Sequence, residues 1–323
     1  MRWLAGAILA VASLASPIAG ALAQDYPNRP LRVVVPYTPG GGTDSVARAL
    51  ATRLSARWGQ PIVVDNRPGA GTTLGADIVA KAPADGYTLL FSDTATFVIN
   101  PHLYDRLPYD PRRAFAPVAL VTRLAPVLAV NPAVPARTLP ELLAHARAHP
   151  GALTYASPGN GTYTHVAMAY LTQLAGVSIT HVPYRGTAGV MPDLLADRVS
   201  MYLITSSVVE PQAREGKLRL LAAATERRLP LMPDLPAVNE TVPGFAINVW
   251  FGLAAPAGTP EPVLDRLHAA VAEVLASPEF SQQVLAPQSF SAGDLSREEF
   301  ARLLDSDFER WGTYVQRSGA RIE

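Results

Sequence analysis

Beyond residue 30, hydrophobic positions follow two alternating rhythms. Short runs of β-branched and aliphatic residues give way to stretches where apolar residues recur every three or four positions. That is the pattern of βα units around parallel strands. Leu31–Pro36 is nearly all Leu and Val and reads as a buried strand. Asp44–Trp58 places Val46, Ala49, Leu50 and Leu54 at helical spacing, and Gly59 closes it. Ile62–Asp65 and Thr88–Ser92 read as the next strands, with a helix over Gly75–Ala82 stopped by Pro83. Val118–Val121 and Val127–Val130 form a further extended pair.

A second set starts at Pro140–His149, a helix whose proline sits in the first turn, where fixed φ and a missing N–H do no harm. Strands over Leu153–Ala156, Ile179–Val182, Met201–Ile204 and Leu218–Ala223 alternate with helices over Tyr163–Ala175, Val190–Ala196 and Pro211–Glu215. Val249–Ala254 is extended again. Helical patterns over Pro262–Ser277, Phe280–Leu285 and Arg297–Gly312 complete the chain. Two βα sets joined near residues 124–130 and 248–254 predict two α/β lobes with two crossings, the C-terminal helices returning to the first lobe. The expected division is residues 24–125 with 249–323 in lobe 1 and 126–248 in lobe 2.

The first 23 residues differ in kind. Arg2 precedes an apolar Trp3–Leu14 run, Pro17 and Gly20 break it, and Ala21-Leu22-Ala23 ends it in the small-x-small pattern of a secretory leader cut before Gln24. The run falls short of the roughly 20 apolar residues of a membrane span. No cysteine follows it, which excludes a lipid-anchored form, and no later stretch has membrane length, so the mature chain is expected to be soluble. Without Arg2 the 27 basic side chains become 26 against 27 acidic ones, unlike a nucleic-acid binder. Zero cysteines remove disulfides, thiolate metal sites and a cysteine nucleophile, so a core drawn from 49% hydrophobic residues must hold the fold.

Candidate chemistry lies in loops between strand ends and helix starts. In Pro36–Ser45, Gly40, Gly41 and Gly42 let a ligand approach the main chain. Thr43, Asp44 or Ser45 could cap the helix. Its open N–H groups favour an anion by roughly 0.3–1 kcal/mol when exposed and up to about 2 when partly buried. Tyr37 offers a ring and a hydroxyl beside Thr38. The alternative is an ordinary βα turn; the spacing fits neither the dinucleotide nor the P-loop pattern. Ser157–His165 repeats the design in the second set: Gly159 and Gly161 free the backbone around Asn160, and Ser157, Thr162 and Thr164 supply hydroxyls. His165 either pairs with a carboxylate or packs and caps. Asp93, Thr94, Ala95 and Thr96 either close the pocket or cap their own helix. Tyr184 and Arg185 are further candidates, Arg185 as a bidentate fork or a plain surface arginine. Asn66–Gly71 reads mostly as a turn and cap.

These segments resemble one family. Pro36–Asp44, Val64–Gly71, Asp85–Leu90, Ile99–Pro101, Val182–Gly186, Gly216–Arg219, Trp250–Leu253 and Pro256–Pro260 together are similar to the Bug-type receptors of tripartite tricarboxylate transporters. The resemblance implies a type II periplasmic-binding-protein fold: two lobes, a two-strand hinge and a ligand cleft between them. It also implies a small carboxylate held by loop amides, hydroxyls and waters, no cofactor or metal, a monomer in the periplasm, and transient contact with membrane transporter subunits. Contact roles carry over best to the Tyr37–Asp44 and Ser157–His165 loops, then to Thr94–Thr96. Two positions depart from the family. Where an acidic residue is common after Met201–Leu203, this chain has Ile204, Thr205, Ser206 and Ser207, and Thr205 is a candidate contact. Asp93 stands where a small neutral or polar residue is expected. If it faces the ligand, that ligand carries a cation or a hydroxyl besides its carboxylate. A secreted hydrolase is the rival class, but the chain has neither a Gly-x-Ser-x-Gly elbow nor a His-Glu-x-x-His site. A binding protein feeding a sensor kinase is a third reading.

Overall fold

The computed structural model describes residues 26–320, so the leader expected over residues 1–23 lies outside the described residues. Eleven strands form two sheets among the described residues. The first has the order β11-β4-β10-β3-β1-β2, built from β1 (Leu31–Val35), β2 (Ile62–Asn66), β3 (Thr88–Asp93), β4 (Phe115–Leu124), β10 (Trp250–Pro256) and β11 (Phe290–Ala292). The second has the order β7-β6-β8-β5-β9, from β5 (Pro126–Val130), β6 (Thr154–Ser157), β7 (Thr180–Pro183), β8 (Met201–Thr205) and β9 (Arg219–Ala223). β1 runs parallel to β2 and β3, and β6 parallel to β7 and β8, as the βα rhythm requires. β10 and β5 enter their sheets antiparallel, because each arrives through a crossing rather than through a βα unit.

The crossings lie side by side. β4 passes into β5 through Ala125 alone, and the return segment pairs with it where Leu124 N–H donates to Val249 O at 2.8 Å; Ala224, just after β9, links the two by donating to Pro126 O at 2.9 Å and accepting from Ile247 N–H at 3.1 Å. In the second sheet the period-2 alternation sorts side chains cleanly. Leu128, Val130, Met201 and Leu203 join the main core, while Val127, Ala129, Tyr202 and Ile204 face a smaller cluster on the opposite side.

The larger helices are α1 (Gly42–Trp58), α2 (Thr73–Ala80), α3 (Leu139–Ala148), α4 (Tyr163–Ala175), α5 (Val190–Leu195), α6 (Ser206–Arg214), α7 (Glu261–Leu275) and α8 (Arg297–Ser318). Several boundaries differ from the pattern reading. α1 begins inside the glycine triplet with Gly41 as its N-cap, so Asp44 lies within the first turn rather than capping it. α6 begins at Ser206 and carries Pro211 inside it, so that proline interrupts a helix instead of starting one. α8 runs through Gly312 to Ser318, because a Cβ on Gly312 would come within 2.7 Å of the His102 ring. Gly312 marks a close approach, and Gly319, at φ 68°, is the stop. A π-type turn over Ala95–Ile99, continued by Asn100–Leu103, follows β3 and had no signal in the periodicity. No described helix is long and apolar enough to cross a membrane.

α8 belongs to neither set alone. Its start is fixed by a capping box of Ser296 and Glu299. It packs on β4 and also on α4, where Tyr314 stacks on Tyr170 at 4.2 Å and donates its hydroxyl to Ala246 O. Buried Asp307 of α8 accepts from Trp250 Nε1 at 2.8 Å and Asn248 Nδ2 at 3.2 Å, tying the helix to the returning crossing.

Candidate functional site

Four strand ends converge: the loop after β1, the end of β3, the loop after β6 and the end of β8. Ligands of open α/β sheets bind at the carboxyl ends of strands, and here two sheets turn those ends toward one another.

The loop after β1 is stapled from within. Gly40, at φ 89°, takes a conformation that a side chain would strain. Its N–H donates to Asp44 Oδ2 at 2.9 Å, and Arg48 Nε reaches the same oxygen at 3.0 Å. Asn66 Nδ2 donates to Asp44 Oδ1 at 2.9 Å and to Tyr37 O at 3.0 Å. Burial would raise the Asp44 pKa, but these hydrogen bonds outweigh it and hold the carboxyl below its ordinary range. Both Asp44 oxygens are therefore engaged in shaping the loop. Thr38, Gly40 and Gly41 stay exposed, and the N–H groups of the first turn of α1 have no acceptor within the helix.

The second loop is built the same way. Ser157 Oγ accepts from Gly159 N–H at 3.2 Å and lies 2.7 Å from His181 Nε2. Thr162 Oγ1 donates to Gly159 O at 2.8 Å and caps α4 through His165 N–H. Gly161 N–H donates to His165 Nδ1 at 3.2 Å, so His165 holds the loop with its unprotonated nitrogen. His165 stacks on His181 at 4.1 Å, and burial lowers the pKa of both rings, His181 to about 4 with help from its neighbour. Asn160 is exposed on the tip and Thr164 is buried at the helix start.

Between the loops sit Tyr37, Asp93 and Tyr163. The Tyr37 hydroxyl lies against the Asp93 carboxylate, and Tyr163, from the other sheet, is near enough to both to influence their ionisation. Asp93 Oδ1 accepts from the N–H of Ala95 at 3.1 Å and of Thr96 at 3.4 Å. Burial pushes the Asp93 pKa up to about 6 against the downward pull of Tyr37 and those two amides. Burial likewise raises Tyr163 to about 12, opposed by hydroxyl contacts with Thr205 and Thr164. Thr205 stands at the N-terminal boundary of α6 without a capping hydrogen bond from its side chain, and the buried hydroxyl of Tyr202, near Tyr163, has no hydrogen-bond partner among the described residues.

Other candidates are turned inward. Thr94 Oγ1 accepts from Trp250 N–H at 2.9 Å, fastening the end of β3 to β10 at the crossing. Thr96 Oγ1 bonds Ser92 and donates to Thr72 Oγ1. Neither threonine presents a free hydroxyl, since burial demanded a partner and the lobe supplied one. Tyr184 donates to Asp193 Oδ2 at 2.8 Å, and Arg185 is exposed on the same loop. The Asn66–Thr72 segment is more than a turn: Asn66 fastens the Tyr37 loop, and Thr72 anchors Thr96. No group of three or more His, Cys, Asp or Glu is arranged for a metal among the described residues.

The profile of the "Tripartite tricarboxylate transporter family receptor" family matches residues 46–320. The chain belongs to that receptor family. The protein BugT of Bordetella pertussis is 32% identical over 320 residues, covering 98% of this chain and 97% of the relative. An R. palustris structure solved with adipate superposes with TM-score 0.84 at 34% identity, over 92% of this chain and all of the other. MatC from Rhodopseudomonas palustris with bound malate gives TM-score 0.80 at 33% identity, over 90% and 100% of the two chains. The expected α/β architecture of periplasmic-binding type is the fold of this receptor.

Sequence reasoning named both glycine loops of the receptor but passed over Tyr163, His181 and Tyr202. Tyr163 had a usable signal, since it opens the helix after the second glycine loop. His181 had none: a histidine within a β-branched run, 24 residues from Ser157, meets it only because β6 and β7 pair.

Proposed function

We propose that this receptor is a periplasmic, non-catalytic protein that captures a small carboxylate between two lobes and passes it to the membrane subunits of a tripartite transporter. One observation carries the reading. Two glycine loops, each opening a helix N-terminus, approach from separate sheets to a junction occupied by Tyr37, Asp93 and Tyr163. Amide groups at helix starts favour an anion, and a guest touching both sides would favour closure. The family and the adipate and malate bound by its neighbours support a carboxylate as that guest. The leader pattern of residues 1–23 supports export, and the paired crossings support lobes divided at 24–125 with 249–323 against 126–248.

The Ser157–His181 contact has the length of a nucleophile–base pair, but Ser157 is fully buried and its hydroxyl holds Gly159 in place. That placement favours binding over hydrolysis.

Thermal melting of mature protein against a library of organic acids and amino acids tests the proposal. A ligand at 100 times its dissociation constant stabilises the native state by about 2.7 kcal/mol, so at least one acid should raise Tm by several degrees and bind calorimetrically at low-micromolar or tighter Kd. A flat response to every acid, or turnover of ester and amide substrates, would overturn it.

A further inference from the structure

Three carboxylates are buried among the described residues: Asp44, Asp93 and Asp307. Asp44 has Arg48 at 3.0 Å, and Asp307 has Arg310 at 3.3 Å. Asp93 makes no ion pair among the described residues, and no basic side chain is among the groups that act on it. It is also the one of the three that stands at the junction, between Tyr37 of one loop and Tyr163 of the other. A charge buried without a counter-charge is costly, and proteins avoid it unless something else compensates.

We infer that Asp93 pairs with a cationic nitrogen on the solute, so that the ligand is an amine-bearing carboxylate and not a plain dicarboxylate. The inference rests on the carboxylate-receptor reading and deepens it. An ionised carboxylate accepts about four hydrogen bonds. The amides of Ala95 and Thr96 both donate to Oδ1, and the Tyr37 hydroxyl and Asp93's own amide also act on the carboxylate, so Oδ2 is the oxygen left clear of the Ala95 and Thr96 amides for a ligand donor. A second carboxylate placed there would be repelled. A hydroxyl could donate to Oδ2 but would leave the charge uncompensated. A proton would remove the charge, but the amides of Ala95 and Thr96 that donate to Oδ1 favour the ionised form. An ammonium does both at once, while the anion-seeking glycine loops take the solute's carboxylate. Asp93 thereby acts as the selectivity residue.

Calorimetry on wild-type protein and Asp93→Asn with series sharing one skeleton decides the matter: aspartate, malate and succinate; glutamate and glutarate; 6-aminohexanoate and adipate; 4-(aminomethyl)benzoate and 4-methylbenzoate. Asparagine keeps an Oδ1 acceptor for the two amides, and a melt checks its fold. In the series that binds, the wild type should favour the amine-bearing member at least ten-fold, and Asp93→Asn should cut that preference below three-fold. If Asp93→Asn fails to fold, the wild-type ranking alone decides. A bare or hydroxylated acid binding tightest, or an unchanged ranking in folded Asp93→Asn, overturns the inference and leaves the carboxylate receptor standing. Failure of every acid to bind overturns both.

Discussion

His165 and His181 show how one contact between rings reaches the second glycine loop. The Gly161 amide donates to a neutral His165, and the two rings stack, so a proton on His165 costs the loop that bond, and a proton on both rings sets two cations face to face. Both folded pKa values lie below the ordinary one of about 6.5. The unfolded chain therefore takes up protons first, and stability, complete above about pH 6.5, is lost as pH falls toward 4. Asp93 acts with the opposite sign. Its raised pKa, about 6, lets the folded state hold a proton that the unfolded state releases, so its contribution grows as pH falls through 6. Melts from pH 7.5 to 4.5 should thus show a Tm loss that is shallower in His181→Gln and steeper in Asp93→Asn than in the wild type; identical slopes would refute this assignment. At this scale the glycine loops were legible, because glycine and hydroxyl residues announce open backbone. The tasks of Asp44, Thr94 and Thr96 were not, since a polar side chain takes whichever partner the fold brings within reach.

Among the elements, α2 is set against the site by Gly75. A Cβ there would stand 2.8 Å from Pro36 Cβ and 3.0 Å from Arg67 O, so the helix lies directly on the end of β1 where the Tyr37 loop begins. Gly75→Ala should force these segments apart, costing about 1–3 kcal/mol of stability in chemical denaturation. It should also weaken acid binding by shifting the loop; unchanged stability would show that the neighbours yield freely. The periodicity located the long strands and helices because burial on one side imposes period 2 or 3.6. It misplaced the ends of α6 and α8 because Pro211 and Gly312 were read by local propensity, whereas α6 carries its proline inside and Gly312 answers to the His102 ring packed against it. β11 and the turn after β3 escaped because three residues, or one irregular turn, are too few to establish a period.

Across the whole molecule, the paired crossings and the straddling helix α8 determine how the two sheets sit. If the crossings act as a hinge, small-angle scattering should record a fall in radius of gyration when the acid that raises Tm saturates the protein; an unchanged value would argue for a rigid body. The sequence by itself determined which segments become strands and helices, that they fall into two βα sets, and that each set ends a strand in a glycine loop before a helix. Backbone sterics and the alternation of apolar residues are local, and a chain states them directly. Only the tertiary structure decided that the two loops meet around Tyr37, Asp93 and Tyr163, that Asp44 staples one loop while Asp93 stands without an arginine, and that His181 supports the other. Those are distances between residues far apart in the chain, set by how two sheets and the crossings between them pack.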